Sequence, residues 1–234
     1  MDDVLKQREY YTRTAAQYDA GCAFDPNDEH FIAAALLSGL IDHYRISSLL
    51  DVGCGTGRAL LYLRERHPNL KLSGIEPVVA LRDIAISKGL SSDIVHCGNA
   101  CNMDYPDGHF DCVTAFGVLH HIPHPDIAIR EMKRVARHVI YISDHNIYGM
   151  GSWISKTFKQ CMRELGLRWL LKLLLTRGKG FHDTNWDGIF YPFSLLDHMR
   201  QIKLGMNQTF TFSTKGPAIN LYRKASHIAV LGLK

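Results

Sequence analysis

One stretch, Ser48 to Leu61 (SLLDVGCGTGRALL), limits what this chain can fold into more than any other. Leu49, Leu50 and Val52 read as the end of a buried strand, and Gly53, Gly55 and Gly57 then turn the backbone into an apolar-periodic helix starting near Arg58. Glycines belong in such a turn because a side chain would hold the backbone off a bound molecule, and because some positions need φ > 0. The dinucleotide fingerprint is G-x-G-x-x-G, whereas this loop is G-x-G-x-G behind Asp51, so a pyrophosphate would meet a carboxylate at the loop's mouth. A cationic ligand suits that acid better.

Twenty-three residues beyond Gly53, the next strand (Leu70 to Ile75) ends in Glu76, followed by Pro77 and another helix pattern. A carboxylate at a strand's C-terminal tip can accept both hydroxyl protons of a ribose. A ribose joined to a cationic centre describes S-adenosyl-L-methionine, whose sulfonium and α-amino group would face Asp51. The order of strand, glycine loop, helix, strand and acid resembles the class I S-adenosylmethionine-dependent methyltransferases, in particular their small-molecule, type 11-like branch. The resemblance runs from about Ser47 to Asp144, with a fainter echo at Tyr10 to Asp19.

That resemblance implies an α/β, Rossmann-like, doubly wound seven-stranded sheet whose last strand is antiparallel, with a helical insertion after the fifth strand. It implies S-adenosyl-L-methionine as cofactor, held by Asp51, Gly53, Gly55, Gly57, Glu76 and Pro77, with Asn99, Ala100 and Gly117 on the following loops. The family usually has an aspartate where Asn99 stands, accepting from the adenine amino group; Asn99 keeps an acceptor oxygen without the charge. A Tyr-Asp pair near the N-terminus closes over the cofactor in such proteins, which marks Tyr11 and Tyr18 as lid candidates.

Composition sets limits. The chain has 234 residues, 46% of them apolar, which suits one α/β domain with a sizeable core. A net charge of +4 gives no argument for nucleic acid. Six cysteines, Cys22 among them, are scattered without a C-x-x-C pair and read as reduced thiols of a cytoplasmic protein. The N-terminus MDDVLKQREYY has no apolar signal region, and there is no run of eighteen apolar residues.

Four stretches are expected along this single domain: a helical cap (1–45), the cofactor core (46–146), a helical lid (147–190), and a closing helix with two strands (191–234). Asp2 and Asp3 can cap the first helix, and Pro26 to Asp28 starts the second. After the strand Phe110 to Phe116 comes Gly117-Val-Leu-His-His-Ile-Pro123. The resemblance places His121 toward the substrate, where it is a candidate general base or a locally bonded imidazole. No metal is expected, because no carboxylate pattern accompanies His120, His121 and His124, and metal-dependent relatives carry a glutamate at the place of Gly117. Asp144 and His145 are read as emerging at the tip of a fifth strand, Val139 to Ser143, as a second candidate base or an Asx turn.

Between Ile147 and Gly180 stand seven Lys or Arg and one Glu, so the other 200 residues sum to −2. The period predicts two amphipathic helices there. Their cations Lys156, Lys159, Arg163 and Lys172 form either a solvated face, or a lid that attracts an anionic or lipid-linked acceptor, or a peripheral membrane contact. The loop around Trp186-Asp-Gly188 is a candidate for specificity, and Lys215-Gly-Pro217 joins the closing strands. The expected activity is methyl transfer to a small molecule, with O-methylation of a sugar or other polar metabolite preferred. C- or N-methylation, and a catalytically silent regulator that binds the cofactor, stay open.

Overall fold

The computed structural model describes residues 3–21, 24–185, 187–216 and 220–234; Asp2, Cys22, Trp186 and Pro217 lie outside the described residues. The chain opens with α1 (Asp3–Thr14), a 3-10 turn, and the short α2 (Tyr18–Gly21), followed by α3 (Glu29–Ile41). Asp28 caps α3, its carboxylate accepting from the backbone of His30 and Phe31 at 2.9 and 2.8 Å. The core alternates β1 (Ser48–Val52), α4 (Arg58–Arg66), β2 (Lys71–Ile75), α5 (Val79–Ser87), β3 (Val95–His96), β4 (Phe110–Phe116), α6 (Pro125–Val135) and β5 (Ala136–His145). Next come α7 (Trp153–Glu164), α8 (Arg168–Leu175), β6 (His182–Thr184), β7 (Gly188–Phe190), α9 (Met199–Lys203), β8 (Gln208–Lys215) and β9 (His227–Leu233).

The seven-stranded sheet has the order β3-β2-β1-β4-β5-β9-β8, with β1 to β5 parallel and β9 antiparallel to both of its neighbours. The final strand is thus antiparallel, as the sequence implies. Both faces of the sheet are covered, which is why its strands are apolar on both sides. Val113, Ala115, Ile140 and Ile142 pack toward Ile129 and Met132 of α6. The intervening Cys112, Val139 and Tyr141 pack toward Leu37 of α3 and Leu60 of α4.

Two boundaries differ from the sequence reading in ways that matter. Strand β5 begins directly at the end of α6 and runs on through Asp144 and His145, which pair with Ile228 and His227 of β9. These two residues are therefore strand residues and not a turn beyond the tip; pairing with a neighbour that only the tertiary fold supplies extends the strand. The second difference is a two-stranded ribbon, β6 with β7, which the sequence reading had as loop. Gly188 of this ribbon has φ +62°, and a Cβ there would stand 2.5 Å from Gln7 Oε1, so glycine lets the ribbon lie directly against α1.

Within α7 and α8 the expected cationic face is only partly solvated. Lys159 is buried and donates to Met150 O at 2.7 Å. Arg163 pairs with Asp197 and Glu164, and Arg168 with Asp197.

Candidate active site

The C-terminal ends of β1, β2 and β4 open onto a cavity of about 380 Å³, within the range of roughly 300–1,000 Å³ that small-molecule sites occupy. Tyr11, Tyr18, Gly53, Gly55, Glu76, Pro77, Asn99, Ala100, Gly117 and His121 all line it. The loop after β1 stays in register with β2, because Ile75 O accepts from the N–H groups of both Gly53 and Cys54. Gly53, Gly55 and Gly57 have φ of +68°, +55° and +77°, the left-handed region where only glycine sits without strain.

These glycines have different jobs. A Cβ on Gly57 would meet Leu90 Cδ1 at 2.4 Å, so this position, expected to face the cofactor, instead lets α4 pack against the core. A Cβ on Gly53 would strike Val118 at 2.7 Å. A Cβ on Gly55 meets nothing within 4 Å, because it would project into open space. Gly55 is thus the position at which the backbone offers a ligand room.

Glu76 holds this cradle from below: its carboxylate accepts from Gly55 N–H and Val78 N–H, both at 2.9 Å. Burial raises its pKa, and those two hydrogen bonds work against the shift. Each carboxylate oxygen keeps a second lone pair for a hydroxyl. Asn99 is exposed, and its side-chain oxygen accepts from Cys101 N–H at 2.9 Å.

Asp51 does not line the main cavity. It borders a smaller recess that shares Tyr18, Gly53, Gly55 and Phe116 with it, alongside His30 and Arg58. Burial pushes the Asp51 pKa up to about 7 against the hydrogen bond from Thr114 Oγ1 at 2.9 Å, and the Glu76 charge adds to the rise. His30 is held down to about 4, chiefly by burial, and its Nδ1 is buried without a hydrogen-bond partner. An orphaned ring nitrogen and a carboxyl awaiting a counter-charge fit the amino-acid end of S-adenosylmethionine, which brings both a carboxylate and an ammonium group. The N-terminal cap is latched over this region by Asp19, which accepts from Thr56 Oγ1 at 2.6 Å and pairs with Lys88.

On the opposite wall lies a network of acids and histidines. His121 Nδ1 is 2.7 Å from Ile189 O, a pure acceptor, so Nδ1 carries the proton and Nε2 presents a lone pair. Gln7 Nε2 lies 3.0 Å from the same Nδ1 but has its own acceptor in Asp187 O at 3.1 Å, so the shorter carbonyl contact sets the tautomer. Tyr11 Oη is 2.9 Å from His121 Nε2 and 3.1 Å from Asp187 Oδ1. Burial and the neighbouring His120 charge lower the His121 pKa, which keeps it neutral and able to accept a proton.

His120 is its opposite. Burial alone would lower its pKa, yet Asp144 on one side and Asp187 on the other lift it to about 9. Its Nδ1 stands 2.7 Å from Asp144 Oδ1. Asp144 is fully buried and also accepts from Leu119 N–H and His145 N–H, both at 2.7 Å. His145 stacks on His120 with ring centroids 3.9 Å apart, and burial holds its pKa well down. Asp144 and His145, expected as a second candidate base or an Asx turn, thus contact His120 and lie outside the cavity lining.

The premise of the metal expectation also changes, since Asp144 and Asp187 bring carboxylates to histidines that stood without any in the sequence. His120, His121 and Asp187 form one group of ligand-type atoms, and His120, Asp144 and His145 another. Their contacts are those of a proton-linked acid–base network. Sequence reasoning missed Asp187, Gln7, Ile189 and His120 in this role. Its one signal was the ionisable loop 186–188, distant along the chain from the histidines it joins.

Sheet order, cradle and acid at the tip of β2 are those of the class I S-adenosylmethionine-dependent methyltransferase fold. Within it, residues 50–139 match the profile of the family described as Methyltransferase domain. It is 36% identical over 94 residues to an ajmaline N-methyltransferase from Rauvolfia serpentina, covering 38% of this chain and 32% of that protein. It is 27% identical over 162 residues to a malonyl-[acyl-carrier protein] O-methyltransferase from Geobacter sulfurreducens, covering 68% and 57%. The chain thus matches about a third to just over half of the length of these curated relatives. A solved S-adenosylmethionine-dependent methyltransferase from Thermotoga maritima, described as a possible histamine N-methyltransferase, shares the fold with TM-score 0.58 and 17% identity over 97% of this chain and 99% of that one.

Proposed function

We propose that this protein transfers a methyl group from S-adenosylmethionine to a hydroxyl of a small polar acceptor, a sugar or similar metabolite, with His121 as general base. The observation that carries this reading is the unprotonated Nε2 of a neutral His121 on the cavity wall, which faces Tyr11 Oη at 2.9 Å while the ring is pinned through Nδ1 to Ile189 O. S-adenosylmethionine, when bound, supplies an electrophilic methyl on a sulfonium. Glu76 would accept from the ribose hydroxyls, Asp51 would face the α-amino group, and His30 with Arg58 would border the carboxylate.

The acceptor hydroxyl gains nucleophilicity as its proton moves to His121 Nε2, while Tyr11 turns its O–H fully to Asp187 Oδ1. Because methyl transfer needs the acceptor oxygen in line with the breaking bond, positioning by Tyr11 and His121 contributes as much as the proton transfer. The similarity to an alkaloid N-methyltransferase supports an amine acceptor as the second reading, in which His121 takes an ammonium proton. An acceptor that is anionic or lipid-linked, met in the cytoplasm where the scattered thiols stay reduced, suits the cationic hairpin.

An acceptor screen with methyl-labelled cofactor tests the reading. For the acceptor found, His121→Asn should lower kcat by about 10²- to 10⁴-fold, the span of general-base contributions, with an unchanged cofactor Kd. Turnover at the native rate in this variant would remove His121 from the chemistry.

A further inference from the structure

No helix among the described residues is long and apolar enough to cross a membrane, yet α7 and α8 display an apolar surface that their own packing does not use. The inner side of the hairpin already has its core, with Met162 and Leu171 buried against Tyr148. On the outer side Ile154, Phe158 and Leu165 follow one stripe along α7, and Trp153, Trp169 and Leu173 stand out beside them. Trp153 is 78% exposed and Trp169 64%. Single exposed apolar side chains need no explanation, but here half of the large apolar side chains most exposed among the described residues fall between 153 and 174.

The same segment carries the chain's positive excess, seven Lys or Arg against one Glu between 147 and 180. Lys156, Arg177 and Lys179 make no ion pair among the described residues, unlike Arg163 and Arg168. We propose that the α7–α8 hairpin is a peripheral docking surface for an anionic lipid bilayer, with the apolar stripe at the headgroup boundary and the exposed Arg177 and Lys179 over the lipid phosphates, Lys156 being half-buried on the far side of α7. Tryptophans beside lysines and arginines on an amphipathic helix suit that boundary, where one end of the side chain is apolar and the other wet. Charge argues against a second copy as the occupant, because two such faces would bring like charges together. From α8 the chain leads through Gly178 and Gly180 into the β6–β7 ribbon, whose Asp187 and Ile189 form the wall behind His121. A docked hairpin would therefore bring the catalytic wall close to the membrane surface. The proposal stands apart from the methyl-transfer reading, since lipid binding needs no turnover.

Flotation of the full chain with vesicles tests it. Phosphatidylcholine vesicles containing about a third phosphatidylglycerol should carry the protein at low salt, neutral phosphatidylcholine vesicles should not, and the difference should shrink as salt screens it. Arg177→Gln with Lys179→Gln should weaken partitioning by roughly thirtyfold, given the usual contribution of a basic residue near an anionic surface. Trp153→Ala with Trp169→Ala should also weaken it, and in the native protein tryptophan emission should shift to the blue on anionic vesicles. Retained S-adenosylhomocysteine binding shows that both variants are folded. Absence of flotation with anionic vesicles at low salt would overturn the proposal. So would equal flotation with neutral vesicles. A dimer in sedimentation velocity that the tryptophan variant dissociates, without lipid binding, would assign the face to a second copy and overturn it as well.

Discussion

With Asp51 facing the cofactor's α-amino group, the recess beside the glycine loop should behave as a pH-dependent cation site. The Asp51 carboxyl is protonated at or just below neutrality, with a pKa near 7 set mainly by burial, and only the ionised form can pair with an ammonium group. Binding of a ligand with an α-amino cation must therefore compete with a proton. The apparent Kd should rise as 1 + 10^(pKa − pH): by about a tenth at pH 8, about elevenfold at pH 6 and about a hundredfold at pH 5. The α-amino group of S-adenosylhomocysteine is that of a free amino acid and stays cationic over this range, so the slope belongs to the protein.

Isothermal titration with S-adenosylhomocysteine from pH 5 to 8 measures this directly. Asp51→Asn keeps the shape and the contact with Thr114 but removes the charge. Its Kd at pH 8 should be weaker by about 1.5–3 kcal/mol, the range for a charge-assisted hydrogen bond, and nearly flat with pH. Adenosine, which lacks the amino-acid end, should show no difference in slope between the two proteins. A flat response in the native protein, or an equal slope in the Asn variant, would refute the assignment of Asp51 to the cofactor's cation.

Other predictions follow from single contacts. Gly55→Val should abolish cofactor binding with the fold retained, because its side chain would fill the open space above the loop; circular dichroism with calorimetry checks both halves. Gly117→Ala, by contrast, should lower stability by about 1–3 kcal/mol in urea unfolding, since a Cβ there would stand 2.6 Å from His30 Nε2 at φ +68°. The His120 pKa is raised in the folded state to about 9, so its contribution to stability is fully present below about pH 6.5 and is lost as pH rises through 9. Urea unfolding should show that decline in the native protein and a smaller one in Asp144→Asn. Turnover should survive exhaustive chelation; loss restored by a divalent ion would instead make His120, His121 and Asp187 a metal centre.

The core was legible because its signals are local. A run such as Leu49-Leu50-Asp51-Val52, three glycines and an apolar-periodic helix leaves little freedom, and Glu76 falls where the next strand must end. Even so, the job of Gly57 could not be told from that of Gly55, since the difference lies in Leu90, thirty-three residues further on. The wall of histidines and acids was less legible for the same reason. His121 acquires its tautomer from Ile189 and its neighbours from Tyr11 and Asp187, groups brought together only by folding. Asp144 looked like a strand tip because the ladder with β9, which carries β5 on to His145, is formed by residues more than eighty positions away. Lys159 and Arg163 looked like a solvated face because helical spacing does not reveal Met150 O or Asp197.

The central claim is that the glycine loop and Glu76 form the cradle of a methyl donor and not of a dinucleotide. Calorimetric titration of the native protein with S-adenosylhomocysteine and with NAD, repeated on Glu76→Ala, tests it most directly. S-adenosylhomocysteine should bind, about 1.5–3 kcal/mol more weakly when Glu76 is removed, and NAD should not bind. Binding of NAD without S-adenosylhomocysteine, or a Kd for S-adenosylhomocysteine indifferent to Glu76, would contradict it.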